Sequence, residues 1–119
     1  MKICLKKFDI EDEYFFPEGC FITELSNTAD DPELSIARAR VEPGVTTRWH
    51  HLEGITERYV ILEGHGEVEI DGDMQLLTKG DVVIFPSGER QRISNTGDAD
   101  LVFLAICTPR FTEQAYHAD

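Results

Sequence analysis

The chain has 119 residues, of which 41% are hydrophobic and 29% are charged, and this is the length and mixture of one soluble globular domain. It carries 11 Lys and Arg residues against 23 Asp and Glu residues, which gives a formal net charge of −12. A surface this acidic repels phosphate backbones and anionic lipids, so we expect neither a nucleic-acid partner nor a membrane partner.

The cysteines and the first residues favour a cytoplasmic protein. Cys4, Cys20 and Cys107 are odd in number, widely spaced and outside any CxxC pair. This pattern argues against a disulfide framework and a structural zinc site, and it predicts buried or half-buried thiols in a reducing compartment. The first residues lack the apolar segment of a signal peptide. Sequence motifs for dinucleotides, P-loop phosphates and a nucleophile elbow are also absent.

Short strand patterns separated by turn residues recur along most of the chain. Apolar and β-branched runs alternate with Gly, Pro, Asn and Asp clusters, while helical periodicity is nearly absent. This arrangement is typical of an all-β sandwich or barrel. The predicted strands cover residues 21–25, 34–41, 57–62, 66–70, 74–77, 82–85, 91–94 and 100–107. Residues 82–85 are predicted to be a buried strand, and residues 71–73 a tight hairpin turn.

We predict a single domain over residues 1–119. Residues 1–20 form an N-terminal extension or strand, whose acidic run at residues 9–13 is interpreted as a solvated surface. Residues 109–119 form a polar C-terminal tail that winds over the surface or ends as a short helix. Arg38, Arg40 and Arg48 could bind a carboxylate or phosphate ligand. In so acidic a chain they are expected instead to pair with nearby carboxylates.

Two glycine-bounded segments carry the strongest signal in the sequence. Residues 44–64 contain Gly44, His50, Glu57 and Gly64, and residues 80–95 contain Gly80, Pro86, Gly88 and Asn95. At these spacings the two segments resemble the two motifs of the cupin superfamily. The resemblance implies an all-β fold of the double-stranded β-helix or jelly-roll type, which is a small barrel with a site in its interior.

The resemblance also implies a metal site, from which this chain departs. In metal-binding cupins, three histidines and a glutamate converge on one ion inside the barrel. Here His50 and Glu57 occupy two of those positions, but Leu52 and Gln91 replace the other two histidines. The expected cofactor is one divalent ion (Mn, Fe, Ni or Zn) held by His50, Glu57, Gln91 and His51. A weakly held ion and a metal-free site are the alternatives, because an amide oxygen is a poorer ligand than an imidazole.

Acid–base chemistry needs no metal if Glu57 faces the interior. Glu57 and Tyr59 share one face of a strand, and the motif register places that face inside. An unpaired carboxylate in an apolar barrel has a raised pKa, which suits a general base, with His50 or Tyr59 as its acid partner. Gln91 inside can donate to and accept from a ligand. His51 points away from His50 on an extended strand, unless the chain loops there.

These residues are compatible with two main functions. The first is a metal-assisted or general-base enzyme, for which the resemblance to cupins implies an isomerase, epimerase or oxygenase type of reaction on a small polar organic substrate such as a sugar. The alternative is a non-catalytic, metal-free binding domain or sensor, which Leu52 and Gln91 favour. A third possibility is a structural dimer module with a vestigial pocket. In each case we expect a homodimer, formed through open sheet edges and the N-terminal segment.

Overall fold

The computed structural model describes residues 3–119, so the first two residues of the predicted domain and of its N-terminal extension lie outside it. The strands over this range are β1 (Tyr14–Phe16), β2 (Cys20–Ser26), β3 (Ser35–Val41), β4 (His50–Leu52), β5 (Thr56–Glu63), β6 (His65–Ile70), β7 (Asp73–Thr78), β8 (Val82–Phe85), β9 (Gln91–Asn95), β10 (Leu101–Thr108) and β11 (Tyr116–Ala118). Short 3-10 helices cover Ile10–Asp12 and Glu113–Ala115. Over residues 3–119, no helix combines the length and apolar character that a membrane crossing requires.

The strands form two antiparallel sheets that face each other. One sheet has six strands in the order β1-β2-β3-β10-β5-β8, and the other has five in the order β11-β4-β9-β6-β7. In the first sheet β10 is central, since it pairs with β3 on one side and β5 on the other. This topology is a jelly-roll barrel, so the all-β prediction is confirmed.

The interior is built from alternate residues of each strand, as the two-residue period of extended chain requires. In β5 the buried side chains are Glu57, Tyr59 and Ile61, while their neighbours are more exposed. In β9 the same alternation buries Gln91 and Ile93. The strand faces assigned from the motif register are therefore correct. Large apolar side chains that are almost fully buried complete the core, among them Phe85 and Leu101.

The sequence patterns did not predict the short strands β4 and β11, and they did not locate β1 within the N-terminal extension or strand of residues 1–20. Each has three residues, which is too few for an alternation to stand out. β11 pairs with β4, with Tyr116 opposite Leu52. The C-terminal tail therefore ends as a strand of the five-stranded sheet and not as a surface coil or a helix, because its backbone groups bond to the edge of β4.

The prediction of a buried strand at β8 is wrong for half of its residues. Val82 and Ile84 are 57% and 59% exposed, and only Phe85 is buried. The reason is position, because β8 is the edge strand of its sheet and pairs with β5 alone. Continuous apolar composition predicted burial on both faces, whereas the outer face of this strand has no neighbour.

Ion pairs attach the N-terminal segment to the barrel. Arg40 donates to both carboxylate oxygens of Glu13, at 2.7 and 3.1 Å, and it lies 3.3 Å from Asp100. Arg38 lies 3.4 Å from Glu13. The predicted pairing is confirmed for Arg38 and Arg40, whereas over residues 3–119 Arg48 forms no ion pair with a carboxylate. The interpretation of the acidic run as simple solvated surface is wrong at Glu13. The adjacent arginines lower the pKa of Glu13 below its ordinary value.

We predict that Glu13→Gln lowers the free energy of unfolding by about 1–2 kcal/mol at neutral pH, because a charge-assisted, two-point hydrogen bond is lost. Since the pKa of Glu13 is lowered in the folded chain, this contribution is present above the ordinary value of 4.5 and disappears as the pH falls through the folded value. Urea unfolding across pH measures it. The exposed Glu11→Gln is the matched control, and equal losses in both variants would contradict the assignment.

Candidate functional site

A cavity of about 70 Å³ lies between the two sheets, with room for roughly five water molecules or a ligand of a few heavy atoms. Most of its wall is apolar. The titratable side chains of the wall are Tyr14, Glu18, Cys20, Glu24, His50, Glu57, Tyr59, Cys107 and Tyr116. Acid–base groups from both sheets and from the β1–β2 turn therefore face one cavity.

Glu57 is a buried carboxyl group near the start of β5. Gln91, on the opposite sheet, donates from Nε2 to Glu57 Oε1 at 2.7 Å, and Cys107 of β10 donates from Sγ to Oε2 at 3.6 Å. Burial raises the pKa of Glu57 to about 7, and the two hydrogen bonds oppose that shift. Near neutral pH the group is therefore partly ionised and can either take up or release a proton.

Gln91 holds Glu57 and Tyr59 together from behind the cavity wall. Its Nε2 donates to the Tyr59 hydroxyl oxygen at 3.2 Å as well as to Glu57. Gln91 is fully buried but is not among the residues that line the cavity. Burial raises the pKa of Tyr59 well above its ordinary value, so its hydroxyl keeps its proton. Gln91 is thus a positioning residue, and Tyr59 is a neutral donor in the wall.

His50 pairs with a carboxyl group that the sequence motifs do not contain. Its Nδ1 lies 2.8 Å from the carbonyl oxygen of Arg48, which can only accept, so Nδ1 carries the hydrogen. In a neutral ring Nε2 is then an acceptor, and it faces Glu18 Oε1 at 3.3 Å. Burial lowers the pKa of His50, so the neutral ring is favoured. Tyr116 of β11 stacks on this ring with centroids 5.4 Å apart.

Glu18 is the functional residue that sequence reasoning missed. It lies in the turn between β1 and β2 and is buried against His50 and Cys20. Burial and the negative charge of Glu57 raise the pKa of Glu18 to about 8, so at neutral pH this carboxyl group mostly carries its proton. The only sequence signal was a carboxylate in a Pro-Glu-Gly turn between aromatic and cysteine residues, which a surface turn would share.

His51 lies on the outer face of β4, away from the cavity. Its Nδ1 is 2.8 Å from Asp119 Oδ2, and its ring stacks on that of His117 with centroids 4.9 Å apart. Strand alternation explains this placement, because His50 points inward and the next side chain points outward. The chain does not loop to bring both imidazoles to one centre, so His51 is separated from the other predicted site residues.

Two of the cysteines belong to the cavity. Cys20 donates to Glu18 and Cys107 to Glu57, each at 3.6 Å. Burial raises the pKa of both thiols, so both stay protonated and act as weak donors. The prediction of buried thiols is correct for this pair and wrong for Cys4, which is exposed.

The donor set does not fit a transition-metal site. Both ring nitrogens of His50 face protein groups, Leu52 is apolar, and Gln91 turns its amide nitrogen toward Glu57. Over residues 3–119, no three His, Cys, Asp or Glu side chains form a group that could hold a metal ion. In this arrangement, protons compensate the buried carboxyl groups.

These features define a class of protein, the small jelly-roll barrel with acid–base groups facing its interior. The family model described as a cupin domain matches residues 37–107, which is more than half of the chain. The chain therefore belongs to the cupin family, as the spacing of its two motifs predicted.

Relatives of the chain include proteins with and without a described ligand. An oxalate-binding protein of Thermotoga maritima is 41% identical over 70 residues, which cover 59% of this chain and 58% of that protein. An uncharacterised protein of Methanocaldococcus jannaschii is 30% identical over 116 residues, covering 96% of this chain and 93% of that one. The crystal structure of a predicted oxalate decarboxylase from Thermotoga maritima matches with a TM-score of 0.70 and 33% identity, over 76% of this chain and 80% of that chain. The aligned segment thus spans little more than half of the oxalate-binding relative.

We predict that the protein becomes less stable as the pH rises from about 5 to about 8. The unfolded chain releases the protons of Glu18 and Glu57 near the ordinary value of 4.5, whereas the folded chain holds them until about pH 8 and about pH 7. The folded state binds more protons in this window, so the free energy of unfolding falls by on the order of 3 kcal/mol for each carboxyl group.

Urea unfolding at a series of pH values measures this slope. Glu18→Gln and Glu57→Gln each replace a titrating group by a neutral one of the same size, so each variant should lose its share of the pH dependence. Glu63→Gln, on the exposed end of β5, should keep the full slope. An unchanged slope in the first two variants would show that these carboxyl groups titrate normally.

Proposed function

We propose that the barrel cavity binds a small organic molecule and that Glu57 acts on it as a general base, in an isomerase or epimerase type of reaction. The observation that supports this most is the placement of Glu57 in an apolar cavity, with a pKa of about 7 and a fixed hydrogen bond from Gln91. A base titrating near the working pH combines availability with proton affinity. Glu57 is itself buried, so bulk water has little access to that base.

The proposed step moves one proton at a time and needs no outside reagent. Glu57 takes a proton from a carbon next to a substrate carbonyl, and the C–H electron pair forms the carbon–carbon double bond of an enol. The carbonyl oxygen gains its proton from an acid in the wall. The protonated Glu18 beside His50 and the hydroxyl of Tyr59 are the two groups that can supply it. Return of a proton to the same carbon from the opposite face gives the epimer. In an α-hydroxy carbonyl compound, the intermediate is an enediol, and loss of its second hydroxyl proton with protonation of the former carbonyl carbon gives the isomer.

We predict that the protein catalyses exchange of carbon-bound hydrogen with solvent deuterium in a small ketone or aldose, and that Glu57→Gln lowers the rate by roughly 100-fold or more. The amide keeps the size of the side chain but cannot take up the proton. Proton NMR in deuterium oxide follows the exchange over a panel of small carbonyl compounds. Glu63→Gln, on the same strand, is the control and should exchange at the wild-type rate. If Glu57→Gln exchanged hydrogen at the wild-type rate, Glu57 would not be the general base.

We further propose that this chemistry needs no tightly held transition metal, because the donor set does not fit one. Elemental analysis of the purified protein should find well under one equivalent of Mn, Fe, Ni or Zn, and treatment with a chelator should leave its melting temperature unchanged. The double variant Leu52→His with Gln91→His restores the two absent imidazoles and should gain a zinc-dependent rise in melting temperature. A stoichiometric metal in the wild-type protein would overturn this part of the proposal.

A second candidate is a binding domain without catalysis. It is supported by the loss of two family ligand positions to Leu52 and Gln91 and by similarity to a relative named as an oxalate-binding protein. Under this alternative a ligand raises the melting temperature, but no member of the carbonyl panel exchanges its hydrogens. Fold alone does not choose between the two, since one barrel can host many functions.

A further inference from the structure

We propose that the ligand of the barrel cavity carries a short alkylammonium group, as a small amino ketone does, and is not a small carboxylate such as oxalate. This inference rests on the proposed binding of a ligand in the cavity, but it does not depend on proton transfer by Glu57. It follows from the charges and the rings of the cavity wall, and it separates this chain from the relative whose name specifies an anion.

The wall offers negative charge and no stable positive charge. Within the described residues, neither lysine nor arginine lines the cavity, whereas Glu18, Glu24 and Glu57 do. His50 is the one wall side chain that can become cationic, and its burial and its Nδ1 hydrogen bond keep the ring neutral. A dianion placed here would lose its hydration and gain no counter-charge, which is unfavourable in an apolar interior.

Arg48 and Arg110 lie near the cavity without lining it, and Arg48 is close enough for its charge to act on Tyr116. Arg110 lines an outer groove beyond the cavity, where its Nη1 donates to Asn27 Oδ1 at 3.2 Å. The same groove carries the carboxyl groups of Glu24 and Glu113. An approaching anion therefore meets more negative than positive groups before it reaches the interior.

Aromatic rings form a large part of the remaining wall. Together with the carboxyl groups they offer an organic cation two kinds of attraction, one to the carboxylate charge and one to the ring faces, and both strengthen when water is excluded. Alkyl groups of the ligand pack against the same rings. The aromatic side chains of the wall are Tyr14, Phe16, Tyr59, Phe103, Phe111 and Tyr116.

The cavity size restricts the ligand to a short cation. Its volume of about 70 Å³ is roughly half that of an engineered 150 Å³ cavity that accepts benzene. An ammonium group with two or three carbons therefore fits, and a ligand this small is expected to bind in the millimolar range. Glu57, at the buried side of the wall, is the counter-charge that such a cation reaches.

The test compares three probes of similar size and different charge. Ethylammonium chloride, ethanol and sodium acetate, with sodium oxalate as a fourth probe, are titrated into the full-length protein above pH 8, at matched ionic strength. Melting temperature and isothermal calorimetry report binding. We expect ethylammonium to bind roughly tenfold more tightly than ethanol, and acetate and oxalate to give no shift beyond that of sodium chloride.

Variants locate the effect and separate it from the proposed catalysis. Glu57→Gln should abolish the preference for ethylammonium over ethanol, Glu18→Gln should weaken it, and the exposed Glu63→Gln should leave it intact. Binding of acetate or oxalate that depends on Glu57 would overturn the proposal of a cationic ligand. The proposal that the cavity binds a small molecule would then still stand. Equal binding of ethylammonium and ethanol, or no binding of any probe, would also overturn the proposal of a cationic ligand. If ethylammonium binds as expected but no carbonyl compound exchanges its hydrogens, the proposal that Glu57 is a general base is overturned. The proposal of a cationic ligand then still stands.

Discussion

The burial of two carboxyl groups in an apolar barrel is the constraint on which the rest of the site depends. An isolated carboxylate at such a position is very unfavourable, so it must be hydrogen-bonded, paired or protonated. Glu57 receives Gln91 and Cys107, and Glu18 faces His50 and Cys20. None of these partners is a fixed cation. The proton is therefore the main compensating charge, and the chemistry of the cavity is set by where the protons reside.

Strand register makes that compensation possible. His50 and Gln91 are paired residues of β4 and β9, while Glu57 lies opposite Cys107 on the other sheet. A shift of one residue in either sheet would turn these side chains to the outside, leaving their partners buried and unpaired. The same registers bury large apolar side chains beside the site. Packing and polar satisfaction thus specify a single arrangement, and this explains why a polar site can persist in so small a core.

The sequence predicted the barrel and the inward set His50, Glu57, Tyr59 and Gln91, because glycine turns, strand alternation and motif spacing are local properties. It did not predict Glu18, whose role depends on a turn folding against a strand more than thirty residues away. Nor could it show that β8 lies at a sheet edge, because neighbours in a sheet are set by topology and not by composition. The predicted homodimer stays a prediction, because the fold of a single chain does not test how two chains associate.

The last strand has a consequence for the chemistry of the cavity. β11 docks on β4 and carries Tyr116, which stacks on His50 and contacts the Glu18 carboxyl group. If this segment detached, water would reach both groups and their pKa values would return toward ordinary ones. The docked tail acts on Glu18 in two opposite ways, since exclusion of water favours the protonated carboxyl group and the Tyr116 hydroxyl favours the carboxylate. Attachment of the C-terminal segment and the charge state of the barrel interior are therefore thermodynamically linked.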